Sequence, residues 1–169
     1  MMRVNIAESN DNVGERFSFK FITSADEIDV IHEVFSFDGP IHIDGSVMNT
    51  GRSYRIEGMI HCKKAFDCDR CLEHFIQGQE HSFSEDYKQG EEDNEEDEVV
   101  NYFNGDAIDI TELIRDTILA AQPLNNICSP DCHGLCPKCG ANLNKGDCGC
   151  DCFVPDPRLA ALQQLLKKK

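Results

Sequence analysis

Between positions 128 and 152 lie seven of the chain's ten cysteines, in a stretch otherwise dominated by Asp, Asn, Gly, Pro and Lys. So little apolar surface cannot order a segment of this length unaided, so the sulfurs must supply what a core would supply elsewhere. Within the stretch, Cys136-Pro137-Lys138-Cys139-Gly140 has the form of a zinc knuckle. A two-residue gap lets one tight turn aim both sulfurs at a single ion, and Gly140 tolerates the bend. A tetrahedral site needs a second pair. Cys148 and Cys150 lie one short loop away, and Cys128 and Cys132 form an alternative pair upstream. The expected ligand set is Cys136, Cys139, Cys148 and Cys150 around one zinc ion. Such a closed four-sulfur site leaves no position for water or substrate, so its role is to staple the tail rather than to catalyse.

A second group, Cys62-x5-Cys68-x2-Cys71, has three sulfurs, and His61 or His74 would have to close it as a Cys3His site. Two other readings stand beside that one. Cys68 and Cys71 could form a redox pair, with Arg70 between them favouring the thiolate, although the strand-then-helix context of such pairs is missing. Alternatively, all three are unliganded structural thiols. His32, His42 and His81 read as surface or satisfied side chains. The sequence holds no Gly-rich phosphate loop, nucleophile elbow or metalloprotease helix, so no catalytic residue is assigned.

The rest of the 169 residues is expected to be α+β: an antiparallel β meander or barrel-like sheet, then a capped helix, a zinc-stapled tail and a C-terminal helix. Residues 1–87 read as a β-rich domain. Phe17, Phe19 and Phe21 alternate with polar residues and share one strand face; 40–47 and 54–62 repeat the alternation across an Asn49-Thr50-Gly51-Arg52 turn. A further strand over 75–83 puts Cys68 and Cys71 at a strand-to-strand turn. Residues 88–98 read as an acidic linker or loop, with seven acids between Glu91 and Glu98. Residues 99–127 are a helical segment packing on the β-rich domain. There Asp109 and Glu112 frame a capping box, and Ile110, Leu113, Ile114, Thr117, Ile118 and Ala121 keep helical spacing before Pro123. In the tail, 128–169, Asp156 and Pro157 open an amphipathic helix with Leu159, Leu162, Leu165 and Leu166 on one stripe.

Charge limits the function. The formal net charge is −15, and −8 remains without the acidic run. One zinc bound by four thiolates would move the total to about −17. Phosphate is therefore repelled at long range, and broad coating of nucleic acid is excluded. A DNA-gripping zinc ribbon is disfavoured too, since only Lys138 and Lys145 flank the knuckle. No apolar run approaches the roughly 20 residues needed to span a bilayer, so no membrane partner is expected. The first residues carry acid and amide where a secretory signal would be apolar, which points to the cytoplasm and to reduced thiols.

Several of these stretches together resemble one family. Cys62-x5-Cys68-Asp69-Arg70-Cys71-Leu72, Glu85 with Tyr87, Asp109-Ile110-Thr111-Glu112-Leu113-Ile114-Arg115-Asp116 and Pro123-Leu124 are similar to the YceD family of large ribosomal RNA subunit accumulation proteins. Cys132-His133-Gly134-Leu135-Cys136-Pro137-Lys138-Cys139-Gly140, then Cys148-Gly149-Cys150 and Asp156-Pro157-Arg158-Leu159, resemble the cysteine-rich form found in Firmicute-type bacteria. The resemblance implies a cytoplasmic bacterial protein, without catalytic residues, acting in synthesis, processing or stability of large-subunit rRNA. Its acidity adds that contact should run through a ribosomal protein or a large-subunit precursor particle, with rRNA touched only locally. The competing expectation is a thiol–disulfide or metal-dependent enzyme acting through Cys68 and Cys71. Oligomeric state is not legible.

Overall fold

The computed structural model describes residues 1–30, 35–90 and 101–151. The acidic run 91–98, Cys152 and the expected helix after Asp156 lie outside them. Ten elements follow in order: β1 (Arg3–Asn5), α1 (Ala7–Asn10), β2 (Arg16–Thr23), β3 (Phe35–Phe37), β4 (Ile41–Asn49), β5 (Tyr54–Asp67), β6 (His74–Gln89), β7 (Asn101–Phe103), β8 (Ala107–Asp109) and α2 (Thr111–Ala120). The class is α+β.

The main sheet has the order β2-β4-β5-β6-β7, with β3 pairing the far half of β5. Its spine is a long antiparallel hairpin in which β5 and β6 stay in register from Tyr54↔Tyr87 to Asp67↔His74. The edge strand β7 runs parallel to β6. The sheet does not close. Among the described residues, β2 and β7 end the strand path without pairing with each other, which corrects the barrel-like expectation. Alternating residues fit an open and a closed sheet equally well; closure depends on the first and last strands meeting, which no local pattern encodes.

One sheet face forms the core. Phe17, Phe19 and Phe21 on β2, Ile43 and Val47 on β4, Ile56 and Ile60 on β5 and Phe83 on β6 pack there. The large rings fit because the register sets Phe19, Gly45, Gly58 and Phe83 in one row across four strands. On the other face, Arg16–Glu57, Lys20–Asp44 and Arg55–Asp86 pair in solvent. The same core takes in Val4 and Ile108 from the small β1–β8 sheet and Ile114 and Ile118 from α2, all at most 2% exposed.

The start of α2 departs from the expected capping box. Ile110 is the N-cap, and no side chain caps it. Asp109 instead ends β8 and accepts hydrogen bonds from the Thr111 amide (2.9 Å) and hydroxyl (2.6 Å). Asp109 pairs with Arg3 in the β1–β8 sheet and the Ile110 amide donates to the Met2 carbonyl (2.9 Å), so strand pairing holds Asp109 in β8 and the helix starts one residue later; the Met2 amide in turn donates to the Thr111 hydroxyl (2.8 Å).

The chain divides into two compact units: Met1–Asp67 with His74–Asn126, and Cys68–Glu73 with Ile127–Lys169. The six residues at the tip of the β5–β6 hairpin thus count with the cysteine-rich tail.

Candidate metal centres

Eight cysteines of the second unit gather into two groups of four. Cys68, Cys71, Cys128 and Cys132 form one, and Cys136, Cys139, Cys148 and Cys150 the other; within each, the sulfurs lie within 4.8 Å of one another. Each group can chelate a metal ion. Cys62 belongs to neither: it sits on β5 in the core of the first unit, 6% exposed, and burial pushes its thiol up. His61 and His74 instead face carboxylates, with His61 Nδ1 3.3 Å from Glu80 and His74 Nδ1 3.1 Å from Asp67.

The tail group is built on two turns. At the first, the Gly140 amide donates to the Cys136 carbonyl (2.9 Å), with Gly140 at φ +73, a conformation that glycine adopts without strain. At the second, Asp147 Oδ1 accepts from the Gly149 amide (2.9 Å), and Gly149 lies at φ +69. Between them, the Cys136 amide donates to the Ala141 carbonyl (2.8 Å), and Leu135 bridges Asn142. Cys136 is buried, Cys148 and Cys150 are half-buried, and Cys139 is exposed.

The other group takes two chelating pairs from distant regions of the sequence. Cys68 to Cys71 is a knuckle closed by the Leu72 amide on the Cys68 carbonyl (2.8 Å) and the Cys68 amide on the Glu73 carbonyl (3.0 Å). Leu72 takes the left-handed conformation (φ +60), where most such knuckles would place glycine. The second pair is held to the first through Arg70. Its carbonyl accepts from the Leu135 amide (3.0 Å), and its guanidinium donates to the Cys132 carbonyl (3.0 Å). Gly134 (φ +74) passes so close that a Cβ there would meet the Arg70 carbonyl oxygen at 3.0 Å. Cys68, Cys71 and Cys132 are buried, and Cys128 is exposed.

The thiols of the first group divide into two that ionise readily and two that are held protonated. Burial opposes charge on Cys68, but the amides of Cys128, Cys71 and Arg70 outweigh it and bring the thiol down to about 6. The Asn144 side-chain amide likewise holds Cys132 below the usual thiol range. Loss of solvent and then the neighbouring sulfurs push Cys128 up to about 12. In the tail group, Cys139 and Cys148 do the same to Cys150, also to about 12. Four thiolates in so small a space need a cation to offset their repulsion.

Two sulfur pairs of the first group, Cys68–Cys132 at 3.8 Å and Cys71–Cys128 at 3.7 Å, are far beyond the roughly 2.05 Å of a disulfide. Local spacing reveals the chelating pairs, yet the Cys68–Cys128 partnership lies outside any local motif. The signal that could have found it is arithmetic: four pairs of cysteines make two tetrahedra.

The model of the family described as "Large ribosomal RNA subunit accumulation protein YceD" matches residues 56–166, a span that contains both groups. A protein from Arabidopsis thaliana named "Large ribosomal RNA subunit accumulation protein YCED homolog 1, chloroplastic" is 49% identical over 43 residues, 25% of this chain and 13% of its own. Its namesake from Zea mays is 41% identical over 63 residues, 36% of this chain and 22% of its own. A Mycobacterium tuberculosis protein described as uncharacterized is 29% identical over 131 residues, 75% of this chain and 62% of its own. The chain thus spans less than two thirds of the length of these relatives. No solved structure matches it.

Proposed function

Because this chain belongs to the YceD family of large ribosomal RNA subunit accumulation proteins, we propose that it is a non-catalytic ribosome-biogenesis factor that supports accumulation, processing or stability of large-subunit (23S) rRNA. The observation that carries this is the family match over 56–166. With a net charge of −15, the chain reaches its target through a basic ribosomal protein on a large-subunit precursor particle, with rRNA contacted locally. The β-rich domain (residues 1–87) and the helical segment (99–127) form the body, and the tail (128–169) presents the binding surface. The protein is a bacterial one of the cysteine-rich, Firmicute type, working in the cytoplasm, where thiols stay reduced.

The tail ion is zinc, held by Cys136, Cys139, Cys148 and Cys150. An all-sulfur donor set suits zinc, which takes four ligands without geometric preference of its own and is not reduced by the thiols around it. A bound ion would offset two of the four thiolate charges and leave −2, and the turns at Gly140 and Gly149 would be held by the sulfurs around it. With all four positions taken by sulfur, its contribution is structural. The thiol–disulfide alternative through Cys68 and Cys71 is disfavoured by access, since Cys68 has 0% exposure and Cys71 4%. A substrate disulfide cannot approach a sulfur enclosed in this way.

Sedimentation with ribosomal precursor particles, at low and at physiological salt, tests the reading. Co-migration with large-subunit precursors in both conditions is expected. Free migration in both overturns it.

A further inference from the structure

We propose that Cys68, Cys71, Cys128 and Cys132 form a second metal site, a closed tetrathiolate centre for zinc or a similarly thiophilic divalent cation, and that Asn144 from the tail's chelate loop completes it. This goes beyond the ribosomal reading and does not depend on it; only the coupling through Asn144 rests on the tail zinc.

The geometry of the sulfurs carries the site itself. With metal–sulfur bonds of about 2.3 Å, the edge of a regular tetrahedron is about 3.8 Å. Cys68–Cys132 at 3.8 Å and Cys71–Cys128 at 3.7 Å have that length, and each joins one sulfur of the hairpin tip to one of the 128–132 pair. Two more features suit a centre carrying −2. The Cys128 amide donates to Cys68 Sγ (3.4 Å), and the Arg70 guanidinium lies beside Cys132. N–H groups aimed at the ligand sulfurs and a fixed positive charge are what such a centre needs once water is excluded.

Asn144 carries the coupling. Its Nδ2 donates to Cys132 Sγ at 3.3 Å. The amide is held from two sides: its Oδ1 accepts from the His133 amide (2.7 Å), and its own backbone amide donates to Asn142 Oδ1 (2.9 Å). Asn144 lies between Cys139 and Cys148, in the loop that the tail ion closes. That loop reaches the hairpin tip as well, through Asn142 Nδ2 (3.1 Å) and Lys145 Nζ (2.5 Å) on Glu73 Oε1. Closing the tail loop therefore positions a donor to a ligand of the other centre. Filling the first site releases its remaining thiol protons to solvent.

The test is native mass spectrometry of the full reduced chain titrated with zinc, together with alkylation of each cysteine before and after chelation. The wild type is expected to take two ions, Cys128→Ser one and Cys150→Ser one. In the loaded wild type, Cys128, an exposed thiol, should resist alkylation and become reactive once a chelator strips the ions; this measurement needs no substitution. Asn144→Ala should still take two ions but release that of the first centre at a chelator concentration about 10–100-fold lower. A wild type that takes one ion, lost in Cys150→Ser and kept in Cys128→Ser, with Cys128 alkylated throughout, overturns the second site and leaves the tail zinc standing. One ion with the reverse pattern upholds the second site and removes the tail zinc. Release from Asn144→Ala at the wild-type concentration overturns the coupling.

Discussion

The ring of Phe83 on β6 lies against Gly58 on β5 so closely that a Cβ built on the glycine would come within 2.7 Å of its Cζ. The same Cβ would run into the Asp44 carbonyl oxygen and would lie 2.7 Å from the Cα of Gly45, both backbone atoms that cannot swing aside. Gly58→Ala is therefore expected to destabilise the protein by about 1–3 kcal/mol, the usual cost of overpacking. Gly78 on β6 has no atom within 4 Å of the corresponding position, and Gly78→Ala serves as the control. Urea unfolding midpoints should fall for the first and hold or rise slightly for the second.

Lys64 is the one charged side chain in the core of the first unit among the described residues, at 0% exposure. Its Nζ lies 3.4 Å from the Ile118 carbonyl and 4.5 Å from the centre of the Phe35 ring. Burial holds its pKa below the ordinary lysine value. The unfolded chain therefore binds more protons between the lowered pKa and about 10.4, and stability gains from this residue as pH rises through that window. Lys64→Met removes the effect. The stability difference between the variant and the wild type should shift in favour of the wild type as pH is raised from 7 towards 10 in denaturant titrations.

Stripping metal from the reduced protein should act on one unit. The Leu135, Cys136 and Leu143 amides are bonded within the cysteine-rich unit, where eight clustered sulfurs stand in place of an apolar core. Structural zinc supplies about 10–16 kcal/mol in small modules. Hydrogen exchange after chelation is expected to show these amides losing protection while those of the β4–β5–β6 register keep theirs. Unchanged protection at 135–143 would remove the staple.

At α2, Asp109 rather than Glu112 is the residue on which the helix start depends. Asp109→Ala should cost about 1 kcal/mol, since it frees the Thr111 amide and hydroxyl together. Glu112, whose side chain is 84% exposed, makes no capping contact. Glu112→Gln should change stability by less than about 0.5 kcal/mol in the same thermal melts.

Much of this architecture is readable from the residues alone, and the exceptions share a cause. The alternation over 16–23 and 41–49 is visible because these strands bury one face and wet the other. The second half of β5 is hidden: Lys64 places a charge where the period calls for an apolar residue, so the alternation breaks after Cys62 although the strand continues to Asp67. β1, β3, β7 and β8 have three residues each, too few to show any period. The grouping of Cys136, Cys139, Cys148 and Cys150 is local and therefore legible. Cys71 and Cys128 are 57 positions apart, and only the hairpin that carries one of them brings them together.

That same gap orders events in time. At about 5–20 residues per second, a translating ribosome delivers Cys128 some 3–11 s after Cys71. Through that interval the hairpin emerges with two bare thiols a single turn apart and no counterpart yet made. A group of four sulfurs drawn from both pairs can therefore assemble only after position 132 has left the ribosome.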